Sequence, residues 1–300
     1  MEITDSHVHL YPPEANRAPA AWAAAHGETH WATLCARVRK DGRAVQGFPS
    51  VDTLLRDMDA AGVTRAVLQG WYWENPATCA WQNRFYEKCV RAHPDRLRAC
   101  ATLHPRAGVA AMRETVRRAA GMGFAGLGEL SPHSQGVAAD DAALQEAFAL
   151  AGEAGLTVCL HVTEQAGAAG ARQYPGKVAT PLRDFVRWAR QFPATRFVLA
   201  HWGACLPLDA AWGEAAKAQA NLFYDTAASP LVYGAKTSAT LWTQMAAAAG
   251  AGRLLFGTDY PLALYPKKGD AEASMAGLLA EARASGLPET ELAAIFSAAF

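Results

Sequence analysis

Val51-Asp-Thr-Leu-Leu-Arg-Asp-Met-Asp-Ala-Ala-Gly-Val-Thr-Arg-Ala-Val-Leu-Gln69 sets the pattern for the rest of the chain. Its first half, 51–61, is amphipathic: Val51, Leu54, Leu55 and Met58 recur at helical spacing, and Gly62 stops the helix. Its second half, 63–69, is rich in β-formers and reads as a strand. The pair then repeats. Helices are predicted over 80–92, 109–120, 140–154, 181–191, 208–218, 238–249, 270–285 and 289–298. Strands are predicted over 96–103, 124–130, 156–162, 195–200, 222–226 and 253–257, with a first strand inside 1–10. Eight strands alternating with helices, without a domain-sized break in composition, predict a parallel sheet closed into a single-domain (β/α)8 TIM barrel over 1–300. The exception is 11–50, rich in Pro, Gly, Ala, Trp and His, with short helices predicted at 20–26 and 31–39. It is expected to be an insertion over the barrel mouth, because a connection this long is usually functional or mobile.

Composition narrows the function. Lys+Arg and Asp+Glu both total 28, so the net charge is zero, and no basic face exists for a phosphate backbone. A nucleic-acid partner is therefore not expected. No apolar run reaches the roughly 18–20 residues of a membrane span. The chain enters charged Glu2 and Asp5 at once, without a signal-peptide pattern. Cys35, Cys79, Cys89, Cys100, Cys159 and Cys205 are scattered with no C-x-x-C pair, which suits reduced, buried thiols of a cytoplasmic protein. A homo-oligomer is compatible with all of this.

Barrel active sites lie where strands finish. The first strand ends in Asp5-Ser-His7-Val-His9, whose histidines share a face roughly 6.5 Å apart. Asp5 lies on that face too and is expected to hold a ring N–H from behind. Glu129 finishes strand four, His161 strand five, His201 strand six and Asp259 strand eight. In strand five, Leu156, Val158 and Leu160 alternate with Thr157, Cys159 and His161, so the histidine faces inward. One histidine after an apolar strand is usually a satisfied core residue. Imidazoles and carboxylates ending five strands predict a shared metal ion.

These stretches resemble the amidohydrolase superfamily, in its amidohydrolase-related branch of metal-dependent hydrolases and decarboxylases. The likeness rests on Asp5-Ser-His-Val-His9, Leu160-His161, Leu199-Ala-His201-Trp-Gly203 and Phe256-Gly-Thr-Asp259-Tyr-Pro261, from the first strand to the last. The resemblance implies a divalent metal, most often zinc, as one or two ions. It would be held by His7, His9, His161 and Asp259, with His201 as a further ligand or substrate-polarising group. Glu129 is similar to the strand-four carboxylate that bridges two metals in some relatives, whereas decarboxylating relatives generally bind one. Relatives often carry Asn-Ala in the last helix. Here the chain reads Ile295-Phe-Ser-Ala-Ala-Phe300, which puts the completeness of the C-terminus in question.

The leading expectation is a hydrolase of a small amide, ester or lactone, with metal-activated water as nucleophile. Asp259 would take the proton of that water and His201 would stabilise the oxyanion. The alternative is a non-oxidative decarboxylase of an aromatic or unsaturated acid. A third reading is a non-catalytic metal-binding scaffold; a nuclease is disfavoured by the neutral charge. Gly70-Trp-Tyr-Trp-Glu-Asn75 places Trp71 and Trp73 at the mouth, and Trp202, Tyr260 and Tyr11 follow the other motifs, which favours a ring-bearing small molecule. Lys177 is expected to meet a substrate carboxylate, with Arg183 and Arg106 as further candidates, and Ser229 to donate a hydrogen bond. His104 and His133 also follow strands and are expected in supporting roles.

Overall fold

The computed structural model describes residues 2–39, 42–163, 176–265, 274–298 and 300. Eight parallel strands stand in sequential order: β1 (Thr4–Val8), β2 (Arg65–Leu68), β3 (Leu97–Ala101), β4 (Gly126–Leu130), β5 (Thr157–Leu160), β6 (Phe197–Leu199), β7 (Leu222–Asp225) and β8 (Leu254–Leu255). The ring is completed by backbone beyond β8. Ser6 N–H donates to the Phe256 carbonyl (2.7 Å), Asp259 N–H to His7 (2.8 Å) and His9 N–H to Tyr260 (2.7 Å). The predicted (β/α)8 barrel is the observed fold.

After β1 come three short helices, α1 (Pro13–Arg17), α2 (Pro19–His26) and α3 (Thr29–Cys35). The outer ring follows: α4 (Val51–Ala61), α5 (Pro76–Ala92), α6 (Val109–Gly121), α7 (Ala142–Glu153), α8 (Leu182–Gln191), α9 (Gly213–Lys217), α10 (Ser229–Val232), α11 (Ala235–Ala249), α12 (Ser274–Arg283) and α13 (Glu289–Ser297). Local chemistry sets several ends. The Ser50 hydroxyl accepts from Thr53 N–H to start α4, and Gly62 closes it in the left-handed region. The Asp141 carboxylate caps α7 on two amides. The helix expected over 208–218 shrinks to α9. Pro207 and a left-handed backbone from Trp202 to Cys205 consume its start as a 3-10 turn, His201–Leu208. Of the helix expected over 270–285, 270–273 lie outside the described residues.

The described part of 11–50 is packed down by aromatic rings. Trp22 stacks on Trp81 at 4.7 Å, and Tyr11 meets Trp31 edge-on at 5.1 Å and Trp73 at 6.0 Å. Each such pair adds about 0.5–1.5 kcal/mol beyond area burial. The Glu28 carboxylate accepts Glu74 N–H (2.7 Å), tying the segment to the β2–α5 connection. Most of the apolar core fills the space between strands and helices, with Leu54, Met58, Phe148, Trp188, Leu199 and Trp242 buried there. Inside the barrel, Cys159, Val198, Ala200 and Leu255 form a separate small cluster, against which Phe223, Ala298 and Phe300 pack. Burial pushes the Cys79, Cys159 and Cys205 thiols up to about 12, so these side chains act as small apolar groups.

Asp5 corrects one expectation. Its carboxylate does not reach a histidine ring. It accepts the amides of His7 (3.1 Å) and Thr258 (2.9 Å) and the Thr258 hydroxyl, clasping β1 to the residues after β8. Burial pushes its pKa up to about 7, against the pull of those hydrogen bonds. A neutral amide can keep most of these contacts, whereas an alanine strands buried donors. Asp5→Ala is therefore expected to cost about 3 kcal/mol and Asp5→Asn about 1 kcal/mol, measured by denaturant unfolding.

Candidate metal centre

The barrel rim gathers the predicted groups in one buried cluster. His7 and His9 come from the end of β1, Glu129 from β4, and His161 directly follows β5. His201 opens the turn after β6, and Asp259 follows β8. His7 Nε2 and His9 Nε2 are 3.1 Å apart, and each is 3.6 Å from Glu129 Oε2. Asp259 Oδ1 is 3.3 Å from His9 Nε2. On the other side of Glu129, its Oε1 lies 2.6 Å from His161 Nδ1 and 3.4 Å from His201 Nε2.

Hydrogen bonding fixes the tautomers. His9 Nδ1 is 2.9 Å from the Gln69 carbonyl, which can only accept, so Nδ1 carries the proton. His7 Nδ1 donates in the same way to Asp225 Oδ2 at 2.8 Å. With both rings neutral, the two Nε2 atoms would meet lone pair to lone pair. That contact is repulsive unless a positive charge sits between them. Ligand atoms about 2.1 Å from a common ion stand roughly 3.0–3.4 Å apart, close to the spacings found here. His7, His9 and Glu129 thus make a nitrogen–oxygen donor set that fits a divalent ion, with Asp259 beside it against His9, and Glu129, His161 and His201 form a second such group. His201 Nδ1 donates to the Ala227 carbonyl (2.9 Å), which leaves its Nε2 facing Glu129 and His161.

The electrostatics point the same way. Burial opposes charge on His7, yet the carboxylates of Asp225 and Glu129 outweigh it and hold its pKa well above the ordinary value. Burial also opposes charge on His201, but Glu129 and Asp259 push it up to about 9. Burial works to raise Glu129, and the charges of His161 and His7 still hold it well below the carboxylate range. His161 is lowered, chiefly by burial. The cluster is a low-dielectric nest of acceptors that draws in positive charge.

Backbone strain accompanies this placement. His201 (φ 58) and Asp259 (φ 63) occupy the left-handed region, at about 1 kcal/mol or more each. Each amide is anchored, His201 N–H on Asp225 Oδ1 (3.0 Å) and Asp259 N–H on the His7 carbonyl. Gly128, beside Glu129, must lack a side chain, because a Cβ there would lie 2.7 Å from Cys159 Cβ.

The cluster floors a cavity of about 1020 Å³. Tyr11, Leu34, Trp71, Tyr72, Val232 and Leu262 supply much of its wall, and the cations Arg37 and Arg39 also line it. Of the expected substrate contacts, Trp71 is on this wall. Trp73 stands behind Tyr11, with its indole N–H on Gln82. Trp202 and Ser229 do not reach the cavity. The indole of Trp202 packs edge-on against Trp242 and donates to Ser229 Oγ (2.7 Å), which bonds in turn to Ser238 (2.7 Å). The left-handed turn that aims His201 inward carries Trp202 outward. Lys177 is half-buried and does not line the cavity; neither do the exposed Arg183 and Arg106. His104 and His133 lie apart, His104 accepting from Arg106 N–H and His133 facing Asp184 (3.0 Å). Sequence reasoning placed Asp225 and Tyr72 in stretches at the mouth without giving Asp225 its ring-orienting role, and it did not single out Arg37 and Arg39.

A family model described as amidohydrolase matches residues 4–298. The chain belongs to the amidohydrolase family. A comparison with curated protein sequences finds no match. Among solved structures, this chain is similar to 5-carboxyvanillate decarboxylase from Sphingomonas paucimobilis, with 17% identity over 99% of this chain and 96% of that one, and a TM-score of 0.67. It is similar to 5-carboxyvanillate decarboxylase from Novosphingobium aromaticivorans, complexed with manganese and 4-hydroxy-3-methoxy-5-nitrobenzoic acid (14% identity, 99% and 94% covered, TM-score 0.71). It is also similar to 2,6-dihydroxybenzoate decarboxylase from Rhizobium (16% identity, 99% and 96% covered, TM-score 0.64). At these identities the likeness establishes the barrel.

Asp225 fixes the His7 tautomer from behind. Asp225→Asn is expected to weaken affinity for a divalent ion 10- to 100-fold with the fold retained, as read by chelator competition and circular dichroism.

Proposed function

We propose that this member of the amidohydrolase family is a metal-dependent, non-oxidative decarboxylase of a small aromatic or unsaturated carboxylic acid. The observation that carries the reading is the asymmetry between the two sides of Glu129. His161 Nδ1–H and Glu129 Oε1 satisfy one another at 2.6 Å. His7 and His9 turn their Nε2 atoms on one another at 3.1 Å, a contact that needs a proton or a metal ion between them. Of the two ligand groups that share Glu129, the one with His161 and His201 is satisfied internally and the one with His7 and His9 is not, which supports a single ion in the latter and no bridging hydroxide. The similar solved structures named as decarboxylases support the same reaction class.

In this reading His7, His9 and Glu129 would hold the ion, zinc or manganese, with Asp259 beside them and His161 and His201 on the other oxygen of Glu129. When bound, the ion supplies a Lewis-acidic anchor for oxygen atoms of the substrate. The reaction releases CO2 from the carboxylate, leaves the bonding electron pair on carbon, and needs one proton delivered there. Asp259 and His201 are the titratable groups beside the donor set that face the cavity, and they handle that proton. Trp71 and Tyr72, stacked at 4.1 Å, offer a flat wall for a ring. Arg37 and Arg39 balance anionic charge on the substrate.

One specific observation favours the hydrolase reading. Glu129 presents one oxygen to each pair of histidines, as a carboxylate bridging two ions would. Metal analysis of the purified protein together with a panel of hydroxylated aromatic acids, lactones and amides separates the two. One ion per chain and CO2 release are expected, with both lost in His7→Ala. Two ions per chain with turnover of lactones or amides would overturn the decarboxylase reading. On an accepted acid, Arg37→Met is expected to raise KM about tenfold while leaving metal content unchanged, read from steady-state kinetics and metal analysis.

A further inference from the structure

A second cavity, of about 260 Å³, lies on the flank of the barrel between α5 and α6. None of its lining residues belongs to the metal cluster or to the cavity above it. Cys79, Ala111, Met112, Ala119, Met122 and Phe124 make it largely apolar. At its rim Arg118 on α6 reaches across to Glu87 on α5 (2.7 Å), and with Arg84 and Glu114 also there the cations and carboxylates balance. One lining residue stands out. His104, 1% exposed, accepts the Arg106 amide on Nδ1 (3.1 Å), capping the short turn Pro105–Ala107. With Nδ1 accepting, the proton of the neutral ring is on Nε2. That Nε2–H has no hydrogen-bond partner among the described residues. A buried donor left without an acceptor is costly and uncommon in native proteins.

We infer that this cavity is a second ligand site, for a small, neutral, largely apolar molecule that carries one oxygen acceptor for the His104 Nε2–H. Engineered apolar cavities of about 150 Å³ already take up benzene, so this volume accommodates a substituted ring. Burial and the Arg106 charge both lower the His104 pKa, so the ring stays neutral, and the balanced rim leaves no net charge to attract an ion. The site is one hydrogen bond from the active cavity: Thr102 lines it and donates to the carbonyl of Trp71, which walls the other.

The test uses the full-length, metal-loaded protein with two probes of similar size, acetophenone and ethylbenzene, which differ in the carbonyl acceptor. Binding is followed by nitrogen-15 NMR of labelled histidines and by thermal shift. Acetophenone is expected to move the His104 Nε2 resonance and to bind about fivefold tighter than ethylbenzene, the worth of one neutral hydrogen bond. Ala111→Phe, which fills the cavity, is expected to remove that response. The inference fails if acetophenone perturbs only the metal-cluster histidines or none. It also fails if the two probes bind equally, or if Ala111→Phe binds as the parent does. The probes bear no carboxylate, lactone or amide, so the result does not depend on the reaction proposed above.

Discussion

Two imidazole nitrogens, on rings whose other nitrogens each donate a hydrogen bond elsewhere, face one another at 3.1 Å in a buried cluster. That contact is the constraint around which the rest is arranged. It holds only with positive charge between the rings, and Glu129 and Asp259 stand close enough to share that charge. In a low-dielectric site such a need is strong, because the buried groups are little screened.

The protein meets this need with a framework that gives the donors little freedom. Asp225 is its central strut. One oxygen holds the His7 ring, and the other takes the backbone amides of His201 and Ala227. A single carboxylate thus sets two of the histidines. The left-handed residues His201 and Asp259 are held by amide hydrogen bonds to neighbouring strands, so local strain is offset by closure of the barrel. Close approach matters as well. A Cβ at Gly257 would lie 2.8 Å from that of His7, so β8 can press against β1 only because nothing projects there.

Much of this was legible in the sequence. The alternation of helix and strand patterns is a local signal, repeated often enough to specify the barrel. Histidines placed just beyond apolar strands converge for the same reason, since parallel strands in a ring all finish on one rim. What the sequence hid depends on side-chain direction after a strand ends. His201 and Trp202 are adjacent, yet the turn between β6 and α9 is left-handed and sends them to opposite sides of the strand layer. Strand periodicity no longer applies there, which is why Trp202 and Ser229 were expected in the cavity. Asp5 and Asp225 exchanged roles for a related reason. The carboxylate that orients a ring comes from a strand far away in the chain, and the neighbouring one is spent on closing the barrel. The aromatic packing of 11–50 was equally hidden, because its partners Trp73 and Trp81 are distant and no repeat announces them.

The hydrogen bonds that join β1 to the backbone beyond β8 carry a consequence for biosynthesis. His7 and His9 leave the ribosome about 250 residues before Thr258 and Asp259. Until those later residues are made, the two imidazoles belong to an open sheet edge and lack the carboxylate that stands beside them. Metal capture by the finished geometry is thus postponed until residue 259 has been added, and a product that stops before it would carry the two histidines without the centre they serve.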